Sequence, residues 1–184
     1  MLEALDYAHQ LMDYDGRPLH IVHRDVSPQN VFITYSGHTK LVDFGVAKTL
    51  RSAKTCAGLV KGNIAYMAPE QVQPGAPIDR RADVFAVGIL LWETIAGQPM
   101  LAGRTVYDSI TRLAKGDIPS IRSAAPDVDP ELERIVQRAI AVEPDQRYPD
   151  AESFRGELAQ YLDARGVVSG HDVGYALARL FARE

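Results

Sequence analysis

Cysteine is almost absent from this chain of 184 residues, since Cys56 is its one thiol. A single thiol excludes an internal disulfide framework and is typical of a protein from a reducing compartment. No apolar run approaches the roughly 20 residues that a transmembrane helix needs, and the start MLEALDYAHQ has acidic residues where a secretory signal has cationic ones. We therefore expect a cytoplasmic segment without membrane contacts.

A surplus of basic residues, low-complexity tracts and internal repeats are also absent. The formal net charge is −4, which argues against nucleic acid as a partner, because such a partner needs clustered positive charge. No period in the range of about 20–50 residues indicates a repeat array. Hydrophobic residues make up 46% of the chain, which is enough for the core of one domain of ordinary size.

Helical periodicity dominates what is present. The predicted helices are residues 1–12, residues 80–96, residues 105–115, one capped by Asp129 with Pro130 in its first turn, one capped by Asp150, and residues 171–182. Residues 80–96 are apolar on nearly every face, which is typical of a buried central helix. Gly97 is suited to end that helix.

Two short segments have the pattern of strands. They are residues 31–34 and 39–43, and Ser36-Gly37 between them supplies turn chemistry, so the sequence predicts a β-hairpin. From about Gly45 to Ile64 there is little periodicity, and a loop of that length is usually functional. Together the patterns predict a mostly helical α+β fold with one short hairpin and a buried central helix.

Three motifs follow one another along the chain. They read His23-Arg24-Asp25-Val26-Ser27-Pro28-Gln29-Asn30, then Asp43-Phe44-Gly45, then Ala68-Pro69-Glu70. In this order and at about this spacing they resemble the signature set of protein kinases. The resemblance is to the C-terminal lobe of a eukaryotic-like (Hanks-type) Ser/Thr kinase, of the bacterial kind. It implies ATP and Mg²⁺ as cofactors and a protein substrate with a Ser or Thr hydroxyl.

The resemblance gives roles to three oxygen-bearing side chains. Asp25 would orient the substrate hydroxyl and accept its proton, while Asn30 and Asp43 would bind Mg²⁺ and, through it, the nucleotide phosphates. Enzymes catalyse phosphoryl transfer mainly by positioning and by stabilising charge on phosphate oxygens. Carboxylate and amide oxygens suit the hard Mg²⁺ ion. A lone loop Asp is usually a turn or cap residue, but three such residues at the motif positions favour catalysis.

Two catalytic-site positions depart from the family pattern. The family commonly has lysine where this chain has Ser27, and the Ser/Thr branch commonly has threonine where it has Asn63. In the family both side chains contact the catalytic aspartate. A serine supplies no cation, and loss of one preorganised donor costs roughly 10²–10³-fold in rate. A hydrogen bond from Asn63 to Asp25, or a water at Ser27, would compensate, so impairment and compensation both stay open.

Arg24, Lys48 and Thr55 form the predicted regulatory set. In kinases with an arginine before the catalytic aspartate, that arginine pairs with a phosphorylated residue of the activation segment, and Lys48 matches a second basic residue of the pocket. Thr55 lies where bacterial kinases of this type are often phosphorylated, and Ser52 and Thr49 are alternatives. Phosphate on Thr55 would order the segment through Arg24 and Lys48. The other interpretation is that these hydroxyls are solvated loop groups.

Three further residues resemble structural positions of the family. Glu70 would pair with Arg147, which lies late in the chain. Asp83 would hold the backbone of the catalytic loop, which is the first motif, residues 23–30. For Asp83 the alternative is an exposed acid at the start of a helix.

We divide the chain into residues 1–165, the C-terminal lobe, and residues 166–184, an extension with an amphipathic helix. That helix either packs back on the lobe or forms a junction to partners. The ATP-binding N-terminal lobe is the part that we do not find, because no glycine-rich phosphate loop, strand lysine or matching helix glutamate is present. The missing lobe would then be supplied in cis or in trans.

Without that lobe, we expect the chain by itself to bind ATP weakly and to have negligible kinase activity. Two other interpretations stay open, namely a catalytically dead, pseudokinase-like binding module and a truncated product with no function of its own. Asp25, Asn30 and Asp43 argue against the binding module, whereas Ser27 and the missing lobe argue for it.

Overall fold

The computed structural model describes residues 1–44, 63–101, 105–166 and 170–181, apart from the side chains of Asn63 and Val106. Within these ranges the elements are α1 (Leu2–His9), β1 (Val31–Ile33), β2 (Thr39–Leu41), α2 (Pro69–Val72), α3 (Arg81–Ala96), α4 (Val106–Lys115), α5 (Pro130–Ala139), α6 (Ala151–Asp163) and α7 (Gly170–Phe181). Short 3₁₀ turns cover Pro28–Asn30, Asn63–Tyr66, Ile121–Ser123 and Pro144–Gln146. The prediction of a mostly helical fold with one small antiparallel sheet is confirmed.

Helix α3 is the centre of the fold, as its apolar sequence predicts. Phe85 on one side of α3 packs with Leu113 of α4 in one hydrophobic cluster. On the other side, Val84 packs with Leu5 of α1 and Phe154 of α6 in a second cluster. All five side chains are almost completely removed from water, and burying each of them stabilises the fold by about 1.5–3 kcal/mol.

Helices α3 and α5 approach each other closely at Gly88. A Cβ atom on Gly88 would lie 2.7 Å from Cγ2 of Ile140 and 2.8 Å from Cβ of Ala139. Glycine is therefore required there by packing, although it weakens a helix interior. Gly97 ends α3 in the left-handed conformation, with φ of 65°, because that conformation carries no steric penalty for glycine.

The predicted caps are present at the starts of α5 and α6. The Asp129 side chain accepts the backbone N–H groups of Glu131 and Leu132, and Asp150 accepts that of Ser153. These bonds satisfy backbone donors that have no partner inside the helix.

Helix α1 is shorter than predicted, since it ends at His9 and not at residue 12. The side chain of Asp13 accepts the backbone N–H groups of Asp15 and Arg17, both at 2.9 Å. Such a local side-chain contact competes with helical hydrogen bonds. The chain folds back here, and Leu19 donates its backbone N–H to the Leu11 carbonyl at 2.9 Å.

The hairpin is confirmed, with Val31 opposite Leu41 and Ile33 opposite Thr39. Its strands have three residues each, so both end earlier than predicted. Gly37 has φ of 80° in the turn, a conformation that favours glycine. Helix α7 lies against this turn, with Gly174 next to the Tyr35 carbonyl. No helix within the described ranges has both the length and the apolar character to cross a membrane.

Candidate active site

The catalytic-loop backbone is fixed by Asp83 in the first turn of α3. One carboxylate oxygen, Oδ2, accepts the backbone N–H of His23 at 2.8 Å, and the other, Oδ1, accepts that of Arg24 at 2.8 Å. Nε2 of His9 also lies 2.8 Å from Oδ2. Asp83 is 1% exposed, so the alternative of an exposed acid is wrong. A buried carboxylate needs such partners, and they position the residues just before Asp25.

The backbone of Arg24 is held from both sides in an unfavourable conformation. Its φ is 65°, and the left-handed region costs a non-glycine residue about 1–2 kcal/mol. The N–H of Arg24 is bound by Asp83, and its carbonyl accepts Nε2 of Gln71 at 3.1 Å. Oε1 of Gln71 in turn accepts the backbone N–H of Ala68. Backbone strain of this kind is common at functional sites. Through these two hydrogen bonds, Gln71 connects the third motif to the first.

Asp25 and Asn30 are in direct contact. Nδ2 of Asn30 donates to the backbone oxygen of Asp25 at 2.8 Å and to its carboxylate Oδ2 at 3.2 Å. The 3₁₀ turn at Pro28–Asn30 brings the two residues together, since the Asn30 N–H donates to the Ser27 carbonyl at 3.0 Å. Asn30 is 7% exposed, and Asp25 is half-buried.

Asp43 is brought next to Asn30 by the base of the hairpin. The residue before it, Val42, donates its N–H to the Asn30 carbonyl at 3.0 Å. The Val42 carbonyl lies 3.0 Å from Nε2 of His23, and the Phe44 ring lies 4.5 Å from the His23 ring, centre to centre. Both neighbours of Asp43 are thus attached to the catalytic loop. Asp43 has φ of 59° and is exposed.

Ser27 lies inside the loop and is fully buried. Its hydroxyl has no hydrogen-bond partner in the described part of the chain, and an unsatisfied buried hydroxyl costs about 1–3 kcal/mol. The residue that replaces the usual lysine therefore sits in the loop interior.

The remaining predicted residues near the site lie outside the described residues. They are Lys48 and Thr55, together with the alternatives Ser52 and Thr49, and the side chain of Asn63. The long loop from Gly45 belongs to the same stretch.

Glu70 and Arg147 form a buried, two-pronged ion pair. Nη1 and Nη2 of Arg147 donate to the two carboxylate oxygens of Glu70 at 2.7 and 2.8 Å. The guanidinium also donates to the carbonyls of Ala141, Arg81 and Val142. It lies 4.7 Å from the centre of the Phe85 ring. The pair ties the third motif to the segment after α5.

Three residues of this framework were missed from the sequence. His9 lies in none of the three motifs, and its contact with Asp83 joins positions far apart in the chain. Gln71 carried a usable signal, because Gln or Glu at the third helical position often caps the helix start. Glu93 accepts the Tyr66 hydroxyl at 2.8 Å and the Met100 N–H at 2.9 Å. Burial, aided by that hydrogen bond, raises the pKa of Tyr66.

The donor atoms at the base of the hairpin fit Mg²⁺. Asp43 offers a carboxylate. Asn30 donates its Nδ2 to Asp25 and offers its amide oxygen as a metal ligand. Mg²⁺ is usually held by one or two protein oxygens together with substrate phosphates and water. No cluster of three or more His, Cys, Asp or Glu occurs within the described ranges.

Comparison with known proteins decides the family. The model of the protein kinase domain matches residues 1–157. The chain belongs to the protein kinase family. The order of the motifs, the Asp25–Asn30 contact and the Glu70–Arg147 pair all lie within the matched part of the kinase domain.

Several bacterial kinases are similar to this kinase chain. The Myxococcus xanthus protein named tyrosine-protein kinase MasK is 41% identical over 160 residues, which are 86% of the chain and 25% of that protein. The serine/threonine-protein kinase PknB of Mycolicibacterium smegmatis is 35% identical over 85% of the chain and 24% of its own length. The serine/threonine-protein kinase PrkC of Bacillus subtilis is 31% identical over 89% of the chain and 24% of its own length.

The kinase chain thus spans about a quarter of the length of these relatives. Their names also differ in the hydroxyl that they specify, tyrosine in one case and serine or threonine in the others. These relatives support a bacterial Hanks-type kinase by family.

Proposed function

We propose that the chain forms the C-terminal lobe of a serine/threonine kinase domain, which in the intact protein transfers the γ-phosphate of ATP to protein hydroxyls. One observation carries the proposal. The Asn30 side chain donates to Asp25, while the Asn30 carbonyl accepts the N–H of the residue before Asp43. A proton acceptor and two oxygen ligands for Mg²⁺ are thereby gathered at the base of one hairpin.

Each of the three residues then has a defined chemical role. Asp25 orients the substrate hydroxyl and accepts its proton while the oxygen bonds to the γ-phosphorus and ADP leaves. Asn30 and Asp43 would hold Mg²⁺, which would neutralise charge on the phosphate oxygens. Asn30 also holds Asp25 in place through its hydrogen bond to Oδ2. The site is therefore arranged mainly for positioning.

Phe32 adds an apolar surface beside this site. It lies on β1 shortly after Asn30 and is 57% exposed. A flat aromatic ring stacks well against a nucleobase. We include Phe32 in the proposed ATP site as a platform for the purine.

Arg24, Lys48 and Thr55 remain the proposed regulatory set. The Arg24 guanidinium pairs with no carboxylate in the part of the chain that the structure describes. A half-buried cation held beside the catalytic loop by its own backbone is suited to receive an anion. We propose phosphate on Thr55 as that anion.

Product analysis tests both the hydroxyl class and the regulatory residue. We expect the full-length kinase, meaning this chain together with an ATP-binding N-terminal lobe, to phosphorylate Ser and Thr of a general substrate protein and its own Thr55 when it is incubated with Mg-ATP. Phosphopeptide mass spectrometry reads both results, with a sample lacking ATP as the control. Phosphotyrosine as the only product would contradict the serine/threonine assignment, and an active kinase without phosphate at Thr55 would contradict the regulatory one.

The partner that we propose for the chain is an ATP-binding N-terminal lobe. An open, mainly apolar concavity of about 660 Å³ lies between α1 and the second motif, lined by Tyr7, Leu11, Ile21 and Phe44 among others. Tyr7 is 71% exposed. A concave, mainly apolar surface with an exposed aromatic ring is suited to pack against a partner, and this one adjoins the proposed ATP site through Phe44. We propose that the two lobes meet here, in the cytoplasm where ATP is available.

Nucleotide binding by the 184-residue chain alone tests the need for that lobe. We expect no saturable thermal shift with Mg-ATP, because a Kd at or above about 10 mM stabilises by less than ~0.1 kcal/mol at 1 mM ligand. The full-length kinase should show a clear shift under the same conditions. A saturable shift for the chain alone would show that the second lobe is unnecessary for binding.

One observation favours a second candidate, a catalytically inactive binding module. Ser27 is buried in the loop and supplies no cation, so the charge that the usual lysine brings is absent from that position. The phosphopeptide analysis described above distinguishes an active kinase from an inactive binding module, because the module yields no phosphopeptides.

A further inference from the structure

The N-terminal part of helix α7 lies directly against the turn of the hairpin formed by β1 and β2. A Cβ atom on Gly174 would lie 2.3 Å from the Tyr35 carbonyl oxygen and 3.3 Å from the Gly37 nitrogen. From the other side, a Cβ on Gly37 would lie 1.7 Å from the Gly170 carbonyl oxygen. The two backbones therefore touch without a side chain between them, and only glycine permits that approach.

The turn that α7 contacts is closed by its own hydrogen bonds. The Gly37 N–H donates to the Thr34 carbonyl at 2.8 Å, and the Thr34 N–H donates to the His38 carbonyl at 2.9 Å. The Thr34 and Ser36 hydroxyls lie 2.9 Å apart. A turn closed in this way moves as one unit, so a contact at its tip acts on both strands.

Both strands lead directly to the proposed metal ligands. β1 begins at the residue after Asn30, and β2 is followed by Val42, which donates to the Asn30 carbonyl. The ladder between the turn and these residues has three residue pairs, a distance of about 10 Å at 3.3–3.4 Å per residue. A displacement of the turn is therefore transmitted to Asn30 and Asp43 over a short distance.

Of the described hairpin side chains, Leu41 packs against a core cluster, whereas the outer part of the hairpin has little cover. Phe32, Ile33 and Tyr35 are 57%, 50% and 70% exposed, and an isolated two-stranded hairpin is at best marginally stable in water. Helix α7 covers its tip, while the catalytic loop holds its base. Contacts at both ends of the hairpin can hold it in one conformation, which the pairing of its two strands does not do alone.

We propose that α7 is a positioning element of the kinase, which holds the hairpin and thereby Asn30 and Asp43 in place. Gly174 and Gly37 are the positioning residues, because they permit the close contact. The role for the site rests on the proposed kinase function, whereas the mechanical coupling from α7 to the two ligands does not.

A pair of glycine-to-alanine variants of the full-length protein separates this contact from helix stability. Gly174→Ala places a methyl group against the Tyr35 backbone, although alanine itself favours the helix more than glycine does. Gly170→Ala is the matched control, since its Cβ would lie 3.7 Å from the Gly37 oxygen, an ordinary contact. Only the first substitution must move α7 away from the turn.

Hydrogen exchange of the backbone amides is the main measurement. In Gly174→Ala we expect exchange about tenfold faster over residues 31–42, including the Val42 amide that bonds to Asn30. The exchange rates of the same amides in Gly170→Ala should stay within about twofold of those in the protein without substitutions. Amides of α3 serve as the reference for intact folding in both variants. Equal exchange in the two variants at residues 31–42 would overturn the proposal.

Kinetics then tests the consequence for the site. Gly174→Ala should raise KM for Mg-ATP about three- to tenfold and leave KM for the protein substrate unchanged. An unchanged KM for Mg-ATP despite faster hairpin exchange would refute the positioning role. If the protein without substitutions lacks kinase activity, the proposed function is wrong. Hydrogen exchange of the Val42 amide still shows whether α7 is mechanically coupled to the hairpin.

Discussion

Under the proposed function, replacement of Asp25 by asparagine should lower kcat of the full-length protein by about 10²–10⁴-fold, the usual contribution of a general base. Asparagine keeps the shape of the side chain but has no carboxylate to accept the hydroxyl proton. The Asn30 amide can still donate to the backbone oxygen of residue 25, so the loop should keep its conformation. The measurement is steady-state phosphorylation of a protein substrate.

Two controls make the Asp25→Asn result specific. Asp127→Asn makes the same chemical change at an exposed loop residue and should leave kcat within about twofold, since isolated surface substitutions have small effects. Mg-ATP affinity of Asp25→Asn should also be retained, because Asn30 and Asp43 are unaltered. If Asp25→Asn turns over as fast as the unchanged protein, Asp25 is not the proton acceptor.

Replacement of Arg147 by alanine should destabilise the chain by about 3–5 kcal/mol, because it leaves a buried carboxylate without its partner. Glu70 is 7% exposed and Arg147 is 2% exposed, so water reaches the remaining group poorly. The carbonyls of Ala141, Arg81 and Val142 lose a donor as well. The midpoint of urea unfolding should fall, with the dependence of unfolding free energy on urea unchanged.

The matched control for this pair is Arg155→Ala. Arg155 pairs with Glu152 on the surface of α6, and both side chains are about half exposed. Exposed pairs contribute about 0–1 kcal/mol, so this variant should unfold close to the unchanged protein. The double variant Glu70→Leu/Arg147→Met should recover part of the loss, because no unpaired charge remains. Similar destabilisation in Arg147→Ala and Arg155→Ala would show that the buried pair is unimportant.

Features that depend on neighbours in the chain could be predicted from the sequence. The caps at Asp129 and Asp150, the end of α3 at Gly97 and the hairpin around Gly37 follow from local hydrogen bonding and backbone conformation. The buried position of α3 follows from its nearly uninterrupted apolar sequence. The end of α1 was missed because the side chain of Asp13 competes with the helix for backbone donors.

The sequence by itself indicated the family and determined the order of the motifs and the chemical type of each site residue, because residue identities and short spacings carry that information. Only the tertiary structure decided which distant groups meet. His9 contacts Asp83, Gln71 contacts the backbone of Arg24, the Ser27 hydroxyl is enclosed, and α7 touches the hairpin turn. Such contacts depend on how helices pack around α3, and no local pattern specifies the partner that packing brings into reach.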